Sequence, residues 1–72
     1  MLVMSNLKDE LRMLIDYWVQ HNREHGQEFN EWAEKAKPLG SEVAQSLSEA
    51  ADKMTEVNNC LGKARQALAK EG

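Results

Sequence analysis

"KPLGS", residues Lys37 to Ser41, holds the only proline of the chain, with a glycine and a capping-type serine directly behind it. Proline removes a backbone donor and clashes with the preceding helical turn, glycine frees the backbone, and serine opens a new helix. No other segment combines these signals, so the chain divides here. There is no internal repeat and no linker long enough to separate domains, which leaves one domain over residues 1–72.

Upstream of the break, Leu7, Leu11, Leu14, Trp18, His25, Phe29, Trp32 and Ala36 recur at spacings of three, four or their sum, the period of one helix face. Ser5 or Asn6 suits the start of this helix, Asp9 and Glu10 its positive end, and Lys35 and Lys37 its negative end. The first helix is expected over about 6–36. Downstream, Val43, Leu47, Ala50, Met54, Val57, Leu61, Ala64 and Leu68 alternate four and three without a slip, a heptad seam. Ser41 is its natural N-cap, and Lys63, Arg65 and Lys70 lie toward its end. The second helix is expected over about 42–70, after a turn at 37–41. Gly26, inside the first helix, costs about 1 kcal/mol relative to alanine. It marks a close helix approach, a slight bend, or simple tolerance in a long helix.

A short turn between long helices makes them antiparallel neighbours. Folding about residues 38–39 sets residue i against roughly 77 minus i, which puts His21 opposite the region of Met54 to Cys60. The fold class is therefore all-α, an antiparallel two-helix hairpin. Seventy-two residues bury proportionally little surface, and one hairpin covers only one stripe of each helix. Pairing two hairpins into a four-helix bundle remedies this, so a homodimer is expected, with another helical protein as the alternative partner. Trp18, Phe29, Trp32, Met54 and Leu61 are the expected anchors of core or interface.

Composition narrows the function. Nine Lys/Arg scattered among twelve Asp/Glu leave a net charge of -3, which disfavours nucleic acid as a ligand. Apolar runs such as "MLVM" and "MLI" are far below the ~20 residues that span a bilayer, so no membrane partner is expected. "MLVMSNLKDE" lacks the basic start and sustained apolar stretch of a secretory leader; Met4 is a second possible start, which would make residues 1–3 dispensable. Cys60 is the only cysteine, which fits a reduced, cytoplasmic setting and a small hydrophobe near the seam. No glycine-rich phosphate loop, serine elbow or cysteine–histidine signature is present, so the chain is expected not to be an enzyme and to have no catalytic residues. Carboxylate-bridged di-iron bundles use Glu-x-x-His pairs. Here the order is reversed in His25-x-x-Glu28, and Asn22 stands where the glutamate would be.

The one chemically distinctive stretch is "YWVQHNREHGQEFNEW", Tyr17 to Trp32. His21 and His25 project from one helix face a turn apart, a spacing that lets two imidazoles reach one transition metal, and Glu28 can add a carboxylate from the next turn. Ni²⁺, Zn²⁺ and Co²⁺ are the candidate ions. The competing reading makes the two histidines structural, fixing register in a protein-interaction or assembly module.

The same residues resemble a small, little-characterised family of prokaryotic helical-hairpin domains with a W-x-x-H-N-x-E-H stretch followed by E-F-x-x-W-A. The matching positions are Trp18, His21, Asn22, Glu24 and His25, then Glu28, Phe29, Trp32 and Ala33. The match covers about a quarter of the chain, and the second helix agrees only in its generic heptads. The resemblance implies the hairpin fold and a link to metal handling. Members often carry a further histidine just before the tryptophan; Tyr17 stands there, which removes one potential ligand.

Overall fold

A computed structural model describes residues 3–71. Helix α1 (Val3–Lys35) leads through a 3-10 turn (Lys37–Leu39) to helix α2 (Ser41–Glu71), and the two helices pack along their length as an antiparallel hairpin. The rod measures 58 × 16 × 11 Å. Much of the expectation about residues 1–3 lies outside the described residues.

α1 starts at Val3, three residues earlier than its capping signals suggest, so Ser5 and Asn6 fall inside its first turn. The turn is made by backbone bonds: the Leu39 N–H donates to the Ala36 carbonyl at 2.8 Å and the Gly40 N–H to the Lys37 carbonyl at 3.1 Å. Gly40 then takes φ 140° and ψ 147°, a conformation that side chains strongly disfavour. Its carbonyl accepts the Ala44 N–H at 3.3 Å, so Gly40, not Ser41, stands at the N-cap of α2 and Ser41 is the first helical residue.

The seam on α1 runs Ile15, Val19, Asn22, Gly26, Phe29, Ala33 and Ala36, and faces Ala44, Leu47, Ala51, Met54, Asn58, Leu61, Arg65 and Leu68 of α2. Ile15, at 2% exposed, is its most buried side chain, and Ala33, Ala36 and Ala51 complete the buried core. Small residues sit where the backbones approach. A Cβ built on Gly26 would lie 3.5 Å from Met54 Cβ and 3.8 Å from the Ala51 carbonyl oxygen, ordinary contact distances, so the helices come near each other at Gly26 but leave room for a methyl group. The register centres on residue 40 rather than on 38–39, because the 3-10 turn and Gly40 lengthen the connection: Gly26 meets Met54, and Asn22 meets Asn58.

On α2 this seam shares Leu47, Met54, Leu61 and Leu68 with the expected heptads. On α1 the expected stripe is displaced. Leu7, Leu11 and Leu14 are exposed, as are Trp18 at 39% and Trp32 at 55%; Trp32 carries Lys35 Nζ over its ring at 4.7 Å. Of the expected anchors, Phe29, Met54 and Leu61 are half-buried in the hairpin seam, whereas both tryptophans stand outside it.

The chain therefore carries a second stripe. On each helix its members stand one residue before seam members, a rotation of about 100° in the same sense along the chain, and antiparallel packing turns equal rotations toward one side of the hairpin. α2 contributes Val43 and Val57, both exposed, to that side. The accessible surface of 5774 Å² compares with roughly 4,500 Å² for a compact monomer of 8.2 kDa, an excess of roughly 1,200 Å².

Candidate functional site

Midway along α1 the outer stripe turns polar. Tyr17, His21, His25 and Phe29, each four residues from the next, form a ladder of rings on one side of the helix. Tyr17 stacks on His21 at 5.3 Å between centroids, His21 meets His25 edge-on at 4.6 Å and 87°, and His25 lies against Phe29 at 6.1 Å. The flanking aromatic rings restrict how far either imidazole can swing.

The edge-on geometry brings His25 Nε2 within 3.2 Å of His21 Nε2. On its other side, His25 Nδ1 lies 3.3 Å from Glu28 Oε1. An ionised carboxylate only accepts, so this contact assigns the Nδ1 proton to His25 and leaves its Nε2 lone pair bare. In the neutral pair, His21 then donates from Nε2–H to that lone pair. Glu28 thus touches the back of His25 and holds its tautomer; it does not converge with the two Nε2 atoms as a third ligand. A shallow depression of about 310 Å³ lies beside the rings, with Glu24, Glu28 and Glu31 in its lining. Their charge favours a cation there. Among the described residues, no group of three or more His, Cys, Asp or Glu side chains comes together to hold a metal ion.

Cys60 is exposed on α2 and stands outside the ring ladder. Spacing alone did not bring out two cross-helix devices that hold this region in register. Asn22 Nδ2 donates to Asn58 Oδ1 at 3.1 Å, and Asn58 Nδ2 donates to the Val19 carbonyl at 3.1 Å. Two turns further along, Arg65 forms a bidentate pair with Asp16, Nε to Oδ1 at 2.8 Å and Nη2 to Oδ2 at 3.1 Å. The Arg65 hydrogen bonds hold the Asp16 carboxyl below its ordinary value, helped by the charges of Arg65 and Arg12 against partial desolvation. The same bonds raise the Arg65 guanidinium. The sequence clue to both pairs was their sum, near 80, once the turn centre is moved to residue 40.

No helix among the described residues is long and apolar enough to cross a membrane. No solved structure matches the chain. An uncharacterised protein of Archaeoglobus fulgidus is 41% identical over 56 residues, which cover 78% of this chain and 90% of the relative. Residues 11–68, which include the whole ring ladder and most of the hairpin seam, match the family described as a domain of unknown function, DUF8180, and the chain belongs to that family.

Proposed function

We propose that this hairpin is a self-associating metal-binding module in which His21 and His25 chelate one divalent transition ion, Ni²⁺, Zn²⁺ or Co²⁺, through their Nε2 atoms. The 3.2 Å separation of those atoms carries the proposal. Two imidazole nitrogens bound to one tetrahedral ion at about 2.05 Å stand roughly 3.3 Å apart, so the pair already has chelate spacing. In the neutral ring His25 carries no proton on Nε2, because its Nδ1–H donates to Glu28 Oε1. His21 has to move its ring proton from Nε2 to Nδ1, a tautomer change that leaves the imidazole neutral.

Two donors are too few for a closed shell, and the outer apolar stripe offers the means of bringing more. A second copy of the hairpin is the proposed source, forming a four-helix bundle; another helical protein is the alternative. The proposed role is binding, for which the open depression beside the histidines leaves an ion accessible. A second reading keeps the assembly and makes the histidines structural, favoured by the hydrogen bond the pair makes by itself.

Calorimetric titration of Ni²⁺ and Zn²⁺ into the tag-free protein and into His21→Ala/His25→Ala tests the metal reading. Wild type should bind well above the double variant near pH 7.5, and more weakly at lower pH as protons compete for the imidazole lone pairs. Equal binding by both proteins near pH 7.5 would refute chelation and leave the structural reading.

A further inference from the structure

The outer stripe of α1 has an internal symmetry. Leu7, Leu11, Leu14, Trp18, His21, His25, Glu28 and Trp32 alternate four and three, the spacing of a coiled-coil seam, although another seam already joins α1 to α2. In antiparallel pairing of two such stripes, residue i meets a residue whose number completes a constant sum. A sum of 46 sets Leu14 against Trp32, Trp18 against Glu28, His21 against His25, and Leu7 against the turn that carries Leu39, which is 79% exposed. Leu11 then lies on the aliphatic stem of Lys35. Slipping by one heptad to a sum of 53 strands Leu7 and Leu11, and slipping to 39 pairs the stripe with itself from end to end but sets His21 on Trp18 and His25 on Leu14, so only a sum of 46 brings imidazole to imidazole.

Resting on the chelating role of His21 and His25, we propose that α1 packs antiparallel on α1 of a second copy, about a two-fold axis level with residue 23. Each His21 then meets His25 of the partner subunit, and four imidazoles enclose one divalent ion on the axis.

Three further observations support this arrangement. His21 and His25 supply two donors where a metal site needs about four. Its excess surface of roughly 1,200 Å² exceeds the roughly 800 Å² per partner that a standard interface buries. The hairpin register also carries the axis onto α2. Asn22 pairs with Asn58 and Gly26 with Met54, so residue 23 is level with Val57, which is 46% exposed on the same side. Val57 then faces Val57 of the partner subunit, and Ala50 faces Ala64 of the partner subunit. Small residues flanking Val57 let the two α2 helices approach closely.

A cysteine on the axis reports the register directly. Val57→Cys in a Cys60→Ser background should form an intermolecular disulfide on mild oxidation, and Ala50→Cys/Ala64→Cys in the same background gives an independent second reading. Wild type should remain uncrosslinked through Cys60, because two copies of residue 60 lie about 9 Å apart along the helices, beyond the ~7 Å limit for a disulfide. Calorimetry should give one Zn²⁺ or Ni²⁺ per two chains. Crosslinking through Cys60 but not through Val57→Cys would overturn the register. Metal bound at one per chain with neither engineered disulfide forming would overturn the pairing while leaving chelation intact. Efficient crosslinking at Val57→Cys without metal binding would overturn the four-imidazole centre and, with it, the chelating role.

Discussion

Removing the amide of Asn58 is the most direct test of how the two helices hold register. Asn58 makes two part-buried hydrogen bonds across the seam, donating to the Val19 carbonyl and accepting from Asn22. Each is worth about 1 kcal/mol net, so Asn58→Ala should lose about 2 kcal/mol and Asn22→Ala about 1 kcal/mol. The double variant should be little worse than Asn58→Ala alone, because Asn22 has already lost its partner. The double-mutant cycle then gives a coupling of about 1 kcal/mol. Urea unfolding followed by far-UV circular dichroism measures it. Protein concentration must be held constant, since any association makes the midpoint depend on it. In a domain this small the Asn58→Ala loss lowers the melting temperature by roughly 8–16 °C. Single effects that add to within about 0.3 kcal/mol would show the amides bonded to water instead of to each other, and would refute the account of register given above.

Gly26→Ala should raise stability by up to about 1 kcal/mol in the same unfolding assay, since the added Cβ meets Met54 at an ordinary 3.5 Å and the helix gains propensity. A loss of that size would mean that the helices have no room for a methyl group. Gly40→Ala should destabilise by about 1–3 kcal/mol, because its φ of 140° strains any side chain; an unchanged midpoint would show the turn relaxing at no cost. Asp16 is held below its ordinary value of 3.8, so its pairing with Arg65 contributes in full above that value and is lost as pH falls through the lower, folded value. Acid unfolding of Asp16→Asn should therefore lack the part of the wild-type decline below about pH 4 that this pair contributes, and matching curves would show the pair to be solvent-screened.

The turn and both helices were legible from "KPLGS" and the flanking periodicities, because proline and glycine act through the local backbone. The face that α1 turns to α2 was not. Weighting by size picks out Leu7, Leu11, Leu14, Trp18 and Trp32, yet helices that approach closely want little between their backbones, and Gly26, Ala33 and Ala36 fill that place. On α2 the misreading was milder because Leu47, Met54, Leu61 and Leu68 border both stripes. The histidine pair was legible as an i, i+4 spacing. The role of Glu28 was not, since only the ring orientation shows that it meets Nδ1 and not the convergent side.

Because every cross-helix partner in the seam is nested around Gly40, the hairpin has the topology of a zip fastener. Joining Asn22 to Asn58 closes a separation of 36 residues, and Asp16 to Arg65 one of 49. Formed directly from the open chain, the wider closure costs only about 0.3 kcal/mol more. Formed after the narrower one, it needs just the next two turns of helix to be ordered. Folding is accordingly expected to proceed outward from the turn, through contacts that are each local once their inner neighbours are in place. Amide exchange is expected to follow the same gradient, slowest beside Ala33, Ala36 and Ala44 and fastest at the open end, where Lys8 and Leu68 lie. A lesion near the turn unhitches everything beyond it, while one at the tip frays a single turn.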